Sequence, residues 1–267
     1  MKLKNWIKWS KDEKPLERIP ADGGYCAIFR TIGCVGDSLS SGEFEGTDEK
    51  GERTYHDMFE YSWGQFLARM TGSKVYNFSR GGMSAKEYCE SFGEANDFWN
   101  PDKACEAYII ALACNDLGGL KMEPGSIADV CDEDWHQNKP TYAGYYGQLV
   151  QRLREIRPDA KFFFVTVPKD THRNDDLSAM VPLMYDMAAH FPNSYVIDLD
   201  RYAPVYDDDF YAKFFMGGHM NPMGYLLTAK MIAAYIDWIV RHNMGDFKQL
   251  GFIGTPYRNT ADPTVTA

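Results

Sequence analysis

The sequence predicts an α/β protein in which five strands form a parallel sheet with helices on both faces. Two observations carry this expectation. Strand-like runs alternate with segments of helical period, as in parallel sheets with crossover helices. Three of the runs are also apolar almost throughout, as strands covered on both faces are. The runs are "AIFRTIGCV" (27–35), "KVYNFS" (74–79), "AYIIALAC" (107–114), "KFFFVTVP" (161–168) and "SYVIDLD" (194–200). A helix over 55–72 precedes the second strand and stops at Gly72. A second, over 141–158, places Leu149, Leu153 and Ile156 on one face and ends before Pro158. A third, over 177–191, has its start limited by Pro182. The last begins at Asn221, a good N-cap, with Pro222 at the first helical position, and runs to about Val240.

No repeat or linker divides the 267 residues, so a single domain is expected. Residues 1–24 read as an N-terminal arm and 245–267 as a C-terminal tail, because periodic pattern is scarce there. The arm would either cover a neighbouring subunit in a homo-oligomer or frame the first strand. Hydrophobic residues make up 45% of the chain and aromatics 15%, enough for one sizeable core. The net charge of −10 argues against nucleic acid or an anionic membrane surface as a partner. No stretch reads as long and apolar enough to span a bilayer. Lys8, Lys11, Asp12 and Glu13 break up any apolar region near the N-terminus, so a cytoplasmic location is expected. The six cysteines form no CxxC pair and are expected to be reduced and mostly buried. No H-E-x-x-H or comparable ligand spacing occurs, and Gly33 and Gly36 do not make a dinucleotide fingerprint, so neither metal nor cofactor is expected.

In open parallel sheets, ligands bind outside the carboxyl ends of the strands. The first strand runs into Gly36-Asp37-Ser38-Leu39, the second into "NFSRGGMS", and the third ends at Cys114-Asn115-Asp116. The last helix is preceded by "GGHMNP", which contains His219. These groups are chemically complementary. A serine hydroxyl needs a base, and His219 is available as one. The oxyanion formed when an ester is attacked needs fixed donors, which a glycine N–H and an asparagine amide can supply.

Gly36-Asp37-Ser38-Leu39, Gly82 in "NFSRGG", Asn115 in "ACND" and His219 in "GGHMNPMGY" together resemble the four blocks of the SGNH (GDSL) hydrolases, in order and over roughly residues 28–240. The resemblance implies a three-layer, flavodoxin-like sandwich. It implies Ser38 as nucleophile, with its N–H in an oxyanion hole shared with Gly82 N–H and the Asn115 side chain. It also implies His219 as base, with Asp37 and Asp116 holding loop backbone. One position departs from the pattern: Met216 stands three residues before His219, where the family usually has an aspartate. Either a backbone carbonyl near Met216 supports a Ser–His dyad, the favoured expectation, or an acid from "YDDDF", most plausibly Asp209, reaches in.

Arg80, beside the loop in which the resemblance places an oxyanion donor, is a candidate substrate contact, although a surface arginine paired with an acid is the commoner case. The expected reaction is hydrolysis of short-chain carboxylic esters, small-molecule or saccharide, with carbohydrate O-acetyl esters favoured. No apolar lid or long amphipathic segment is visible to hold a lipid chain. Alternatives are a lysophospholipase or thioesterase-type acylhydrolase, acyl transfer to an alcohol, and an impaired binding module that lost its acid.

Overall fold

The computed structural model describes residues 10–248. Strand β1 (Thr31–Gly36) leads into α1, a single turn at Ser38–Ser41. A hairpin of β2 (Glu43–Thr47) and β3 (Arg53–Asp57) follows, then α2 (Trp63–Thr71) and β4 (Lys74–Ser79). Next come β5 (Ala107–Ala111), α3 (Tyr142–Ile156), β6 (Lys161–Val165), α4 (Met180–His190) and β7 (Ser194–Ile197). Helix α5 (Asp208–Phe214), a two-residue pair β8 (Phe215–Met216) and β9 (His219–Met220), and α6 (Pro222–His242) complete the order.

The sheet has the order β4-β1-β5-β6-β7, and every pairing in it is parallel. Side chains alternate between its faces with the strand period of two. Tyr108, Ile110, Phe162 and Phe164 point to a layer containing Tyr142, Tyr146 and Leu149 of α3 and Met184 of α4. Ile109, Phe163 and Val165 point to the opposite layer, with Leu67 of α2 and Ile232 and Ile236 of α6. Three layers result, as the sequence predicts.

Strands β5, β6 and β7 each stop short of the apolar runs that predict them, at Ala111, Val165 and Ile197. Beyond those ends, Leu112, Ala113, Val167, Pro168 and Leu199 stay apolar because they line a cavity.

The hairpin corrects the expectation for 41–57. The helix expected over 55–72 begins inside this stretch, yet residues 53–57 are strand. Helix α2 begins only at Trp63, where the Ser62 hydroxyl accepts from Gln65 N–H at 3.2 Å.

Helix α6 corrects a second expectation, since its length and composition suffice to cross a membrane. Here 67% of that apolar window is buried against the sheet, as in a core helix. Asn221 caps it, accepting from Met223 and Gly224 N–H at 3.0 Å each. The described part of the N-terminal arm lies along α6: Trp238 donates to the Glu13 carbonyl (2.8 Å) and Arg241 pairs with the Glu13 carboxylate. Phe247, in the region read as tail, is buried against Phe29 and Tyr195. The rest of the expected arm and tail, 1–9 and 249–267, lies outside the described residues.

Tyr88 pins the ends of β1 and β4. Its hydroxyl is fully buried, accepts from Gly36 N–H (3.2 Å), and has its single hydrogen within reach of the carbonyls of Gly36 (2.8 Å) and Phe78. Tyr88→Phe leaves these backbone groups short of a partner and should cost about 1–3 kcal/mol in urea unfolding. An unchanged unfolding midpoint would show that this hydroxyl carries no stability.

Candidate active site

The register aligns three strand ends. Gly36 pairs with Ser79 of β4 and with Ala111 of β5. The segments that follow therefore leave the sheet at one level and carry Ser38, Gly81-Gly82 and Asn115. A Cβ on Gly36 would lie 2.1 Å from Ser40 Oγ, so the turn onto Ser38 requires glycine. Asp37 caps α1, accepting from Leu39 N–H at 3.1 Å, as expected of a residue holding loop backbone. Its carboxyl is 6% exposed, and burial pushes it up to about 6 against the opposing pull of Leu39 N–H, Arg173 and His219.

Gly82 has φ of 78°, in the left-handed region that favours glycine. Gly81 N–H donates to Asp57 Oδ2 (3.3 Å), whereas Gly82 N–H bonds no acceptor among the described residues. Asn115 Nδ2 donates to the Met83 carbonyl at 2.8 Å and ties this loop to the end of β5. Asp116 is fully buried and accepts from Ala85 N–H (2.9 and 3.1 Å). Burial pushes its carboxyl up to about 7, despite backbone N–H groups that favour the charged form.

His219 is where the sequence reading needs correction. Its Nδ1 lies 2.9 Å from Glu45 Oε1, and its Nε2 lies 3.0 Å from Glu43 Oε1. The carbonyl-supported dyad is thus replaced by a carboxylate. Asp209 does not serve either: its side chain is 76% exposed and pairs with Lys213, one turn along α5. Met216 lies opposite His219 in the β8–β9 pair and is exposed.

Glu45 belongs to β2, the hairpin that the sequence reading missed. Glu43 and Glu45 occupy alternate positions and face His219 together, while Phe44 between them packs on Tyr61 and Tyr225. The only sequence signal is that alternation, "GEFEG". Glu45 also accepts from Gly218 N–H (2.6 Å) and lies 3.4 Å from Arg53. Burial alone would raise its carboxyl, but the His219, Gly218 and Arg53 partners outweigh it and hold the group below the usual carboxylate range. A histidine held this way through Nδ1 has its other nitrogen as the one able to take a proton from a serine.

Ser38, Asn115 and His219 line one cavity of about 180 Å³, walled by Leu112, Val165, Val167, Phe215 and Met220. Arg173, which the sequence reading did not single out, lines it too; its guanidinium lies 4.0 Å from Asp170. Arg80 lies outside this lining, exposed, with its guanidinium 4.7 Å from the Phe92 ring centre. It stacks on a ring rather than pairing with an acid.

A doubly wound sheet with these four blocks at its carboxyl edge defines a hydrolase of the SGNH fold. The profile of the GDSL-like lipase/acylhydrolase family matches residues 34–227. The chain belongs to that family, and its class is that of an ester hydrolase. No curated protein sequence matches it closely.

Among solved structures, a carbohydrate esterase family 2 enzyme with a carbohydrate-binding domain, from Corynascus thermopiles, superposes with a TM-score of 0.55 at 15% identity, over 81% of this chain and 67% of that one. A family two carbohydrate esterase from Clostridium thermocellum, in complex with cellohexaose, gives 0.55 at 17% identity, over 81% and 65%. A GDSL-like lipase candidate from Bacteroides uniformis gives 0.51 at 15%, over 80% and 96%. At these identities the likeness is one of fold.

Proposed function

We propose that the protein is a serine esterase acting on short-chain carboxylic esters, carbohydrate O-acetyl esters among them, through an acyl-Ser38 intermediate. The observation that carries this reading is the meeting of Ser38, Asn115 and a carboxylate-held His219 around one small apolar cavity. In the first half-reaction Ser38 Oγ bonds to the ester carbonyl carbon while its proton passes to His219 Nε2. The carbonyl electron pair moves onto oxygen, facing Gly82 N–H, Ser38 N–H and the Asn115 amide. Collapse breaks the carbon–alkoxy bond, and His219 returns the proton to the leaving alcohol. Water repeats the sequence and frees Ser38.

The cavity favours the short acyl group over a lysophospholipase or long-chain thioesterase role. At about 180 Å³ it is smaller than the ~300–1,000 Å³ of drug-sized ligand sites. The saccharide preference draws support from the two carbohydrate esterases of similar fold. The motive for a dead binding module was a missing acid, and Glu45 supplies one.

A fluorophosphonate probe should label one residue, Ser38, identified by peptide mass mapping. A folded protein left unlabelled and inert towards p-nitrophenyl acetate is no serine esterase. An ester panel of graded acyl length should peak at the shortest chains. A strong preference beyond about C8 would overturn the short-chain assignment, because buried methylenes at ~0.8 kcal/mol each would then drive binding.

A further inference from the structure

The proposed base is bonded on both ring nitrogens. His219 Nε2, the nitrogen left for Ser38 once Glu45 holds Nδ1, lies 3.0 Å from Glu43 Oε1. Both side chains are largely buried, at 16% and 13% exposed. Tyr55 shares this face of the hairpin: it pairs with Glu45 across the strands, and its ring centre lies 5.9 Å from the His219 ring. Yet Tyr55 is 53% exposed.

Neither Glu43, Glu45 nor Tyr55 lines the apolar cavity. His219 thus has the cavity on one side and the hairpin on the other. If the cavity takes the acyl group, the alcohol that receives the proton from His219 lies against the hairpin. An exposed ring beside a hydrogen-bond-accepting carboxylate is chemically suited to a sugar, whose C–H face stacks and whose hydroxyls donate. Glu43, Glu45 and Asp57 on this face disfavour an anionic alcohol. Burial and then the charges of Asp57 and Glu45 push the Glu43 carboxyl up, while His219 and His56 pull it down. A hydroxyl donor would relieve that cost.

We propose that the β2–β3 hairpin is the leaving-group subsite for a neutral sugar, in which Tyr55 stacks on the ring and Glu43 exchanges its bond to His219 for one from a ring hydroxyl, the proton it shared with Nε2 passing to solvent and the Nε2 lone pair becoming free for Ser38. Glu43 then makes recognition part of activation. A simple alcohol offers no replacement donor, so its ester meets a base still held by Glu43. This proposal rests on the acyl-Ser38 reading.

The test compares acetate release from partially O-acetylated cello- and xylo-oligosaccharides with release from ethyl acetate, using the full chain. The wild type should favour the sugar esters in kcat/KM. Glu43→Gln should narrow that ratio by about 10- to 100-fold, the range of a hydrogen bond to a charged group, with ethyl acetate turning over faster. Tyr55→Ala should narrow it by about tenfold, mainly through KM, and Tyr55→Phe should restore it. Fluorophosphonate labelling of each variant shows that the site is assembled. If a labelled variant lowers both substrates in proportion, or leaves the ratio unchanged, the subsite is wrong and the esterase reading stands. If the wild type hydrolyses neither ester and is not labelled, the esterase reading fails and the subsite with it.

Discussion

Glu45→Gln should lower kcat by about 10⁴-fold with little change in KM, the size of effect seen when the orienting acid of a serine protease is made an amide. Glu45 Oε1 bonds both His219 Nδ1 and Gly218 N–H. A glutamine that keeps its oxygen on Gly218 and Nδ1 turns its NH₂ towards Arg53, a donor against a donor; the opposite flip sets NH₂ against Gly218 N–H and makes Nδ1 the acceptor, so that Nε2 carries the hydrogen where a lone pair is needed. The imidazolium formed during attack would also lose its counter-charge. Asp209→Asn, on an exposed residue one helical turn from its lysine partner, should leave kcat within about twofold, since surface ion pairs are worth ~0–1 kcal/mol. Steady-state rates on p-nitrophenyl acetate decide the matter. If Glu45→Gln keeps more than about a tenth of the activity, the carboxylate is not the group that sets the tautomer.

Asn115→Ala should cost about 10²–10³ in kcat, the usual range for one oxyanion donor. The side chain has two amide hydrogens, and one is committed to Met83 at 2.8 Å. That bond fixes the amide plane and leaves the second hydrogen for the oxyanion. Asn115→Asp keeps the shape but places negative charge beside a developing oxyanion, so it should be the slower of the two. Thermal melts separate this loss from unfolding. A rate loss under tenfold in a folded Asn115→Ala protein would remove Asn115 from the oxyanion hole.

The sheet was legible because burial on two faces writes itself into composition. Ile109 and Ile110 face opposite layers, so neither can be polar, and the run reads as strand. Asn221 and Pro222 mark the start of α6 by chemistry that acts locally. The blocks around Ser38, Asn115 and His219 were legible as a resemblance, and the shared register of the strand ends brings those residues to one cavity.

The hairpin was not legible, for a physical reason. It lies off the sheet, with one face against Tyr61 and Tyr225 and the other carrying polar groups to His219. Phe44 is the one large apolar residue in β2, and one residue sets no period. Glu45 pairs with a histidine 174 residues away, a contact with no local trace. Met216 marked where an acid was missing but could not point to its replacement.

Gly42, at φ of 77°, closes α1 and opens the hairpin, so Ser38, Glu43 and Glu45 lie within one short stretch of chain. The proposed nucleophile and the carboxylate that bonds the proposed base are therefore neighbours in the chain, while the histidine comes from its far end. A two-stranded ribbon is marginal by itself, and this one is docked by Phe44, by the bond from the Tyr225 hydroxyl to the Glu43 carbonyl (2.6 Å), and by polar bonds from Gly81, Gly218 and His219 to its carboxylates. The fold could persist with the ribbon undocked, its sheet and helices intact, as an enzyme that is whole but switched off. Loss of activity would then precede loss of the fold, because the ribbon that holds the histidine is outside the sheet that holds the core.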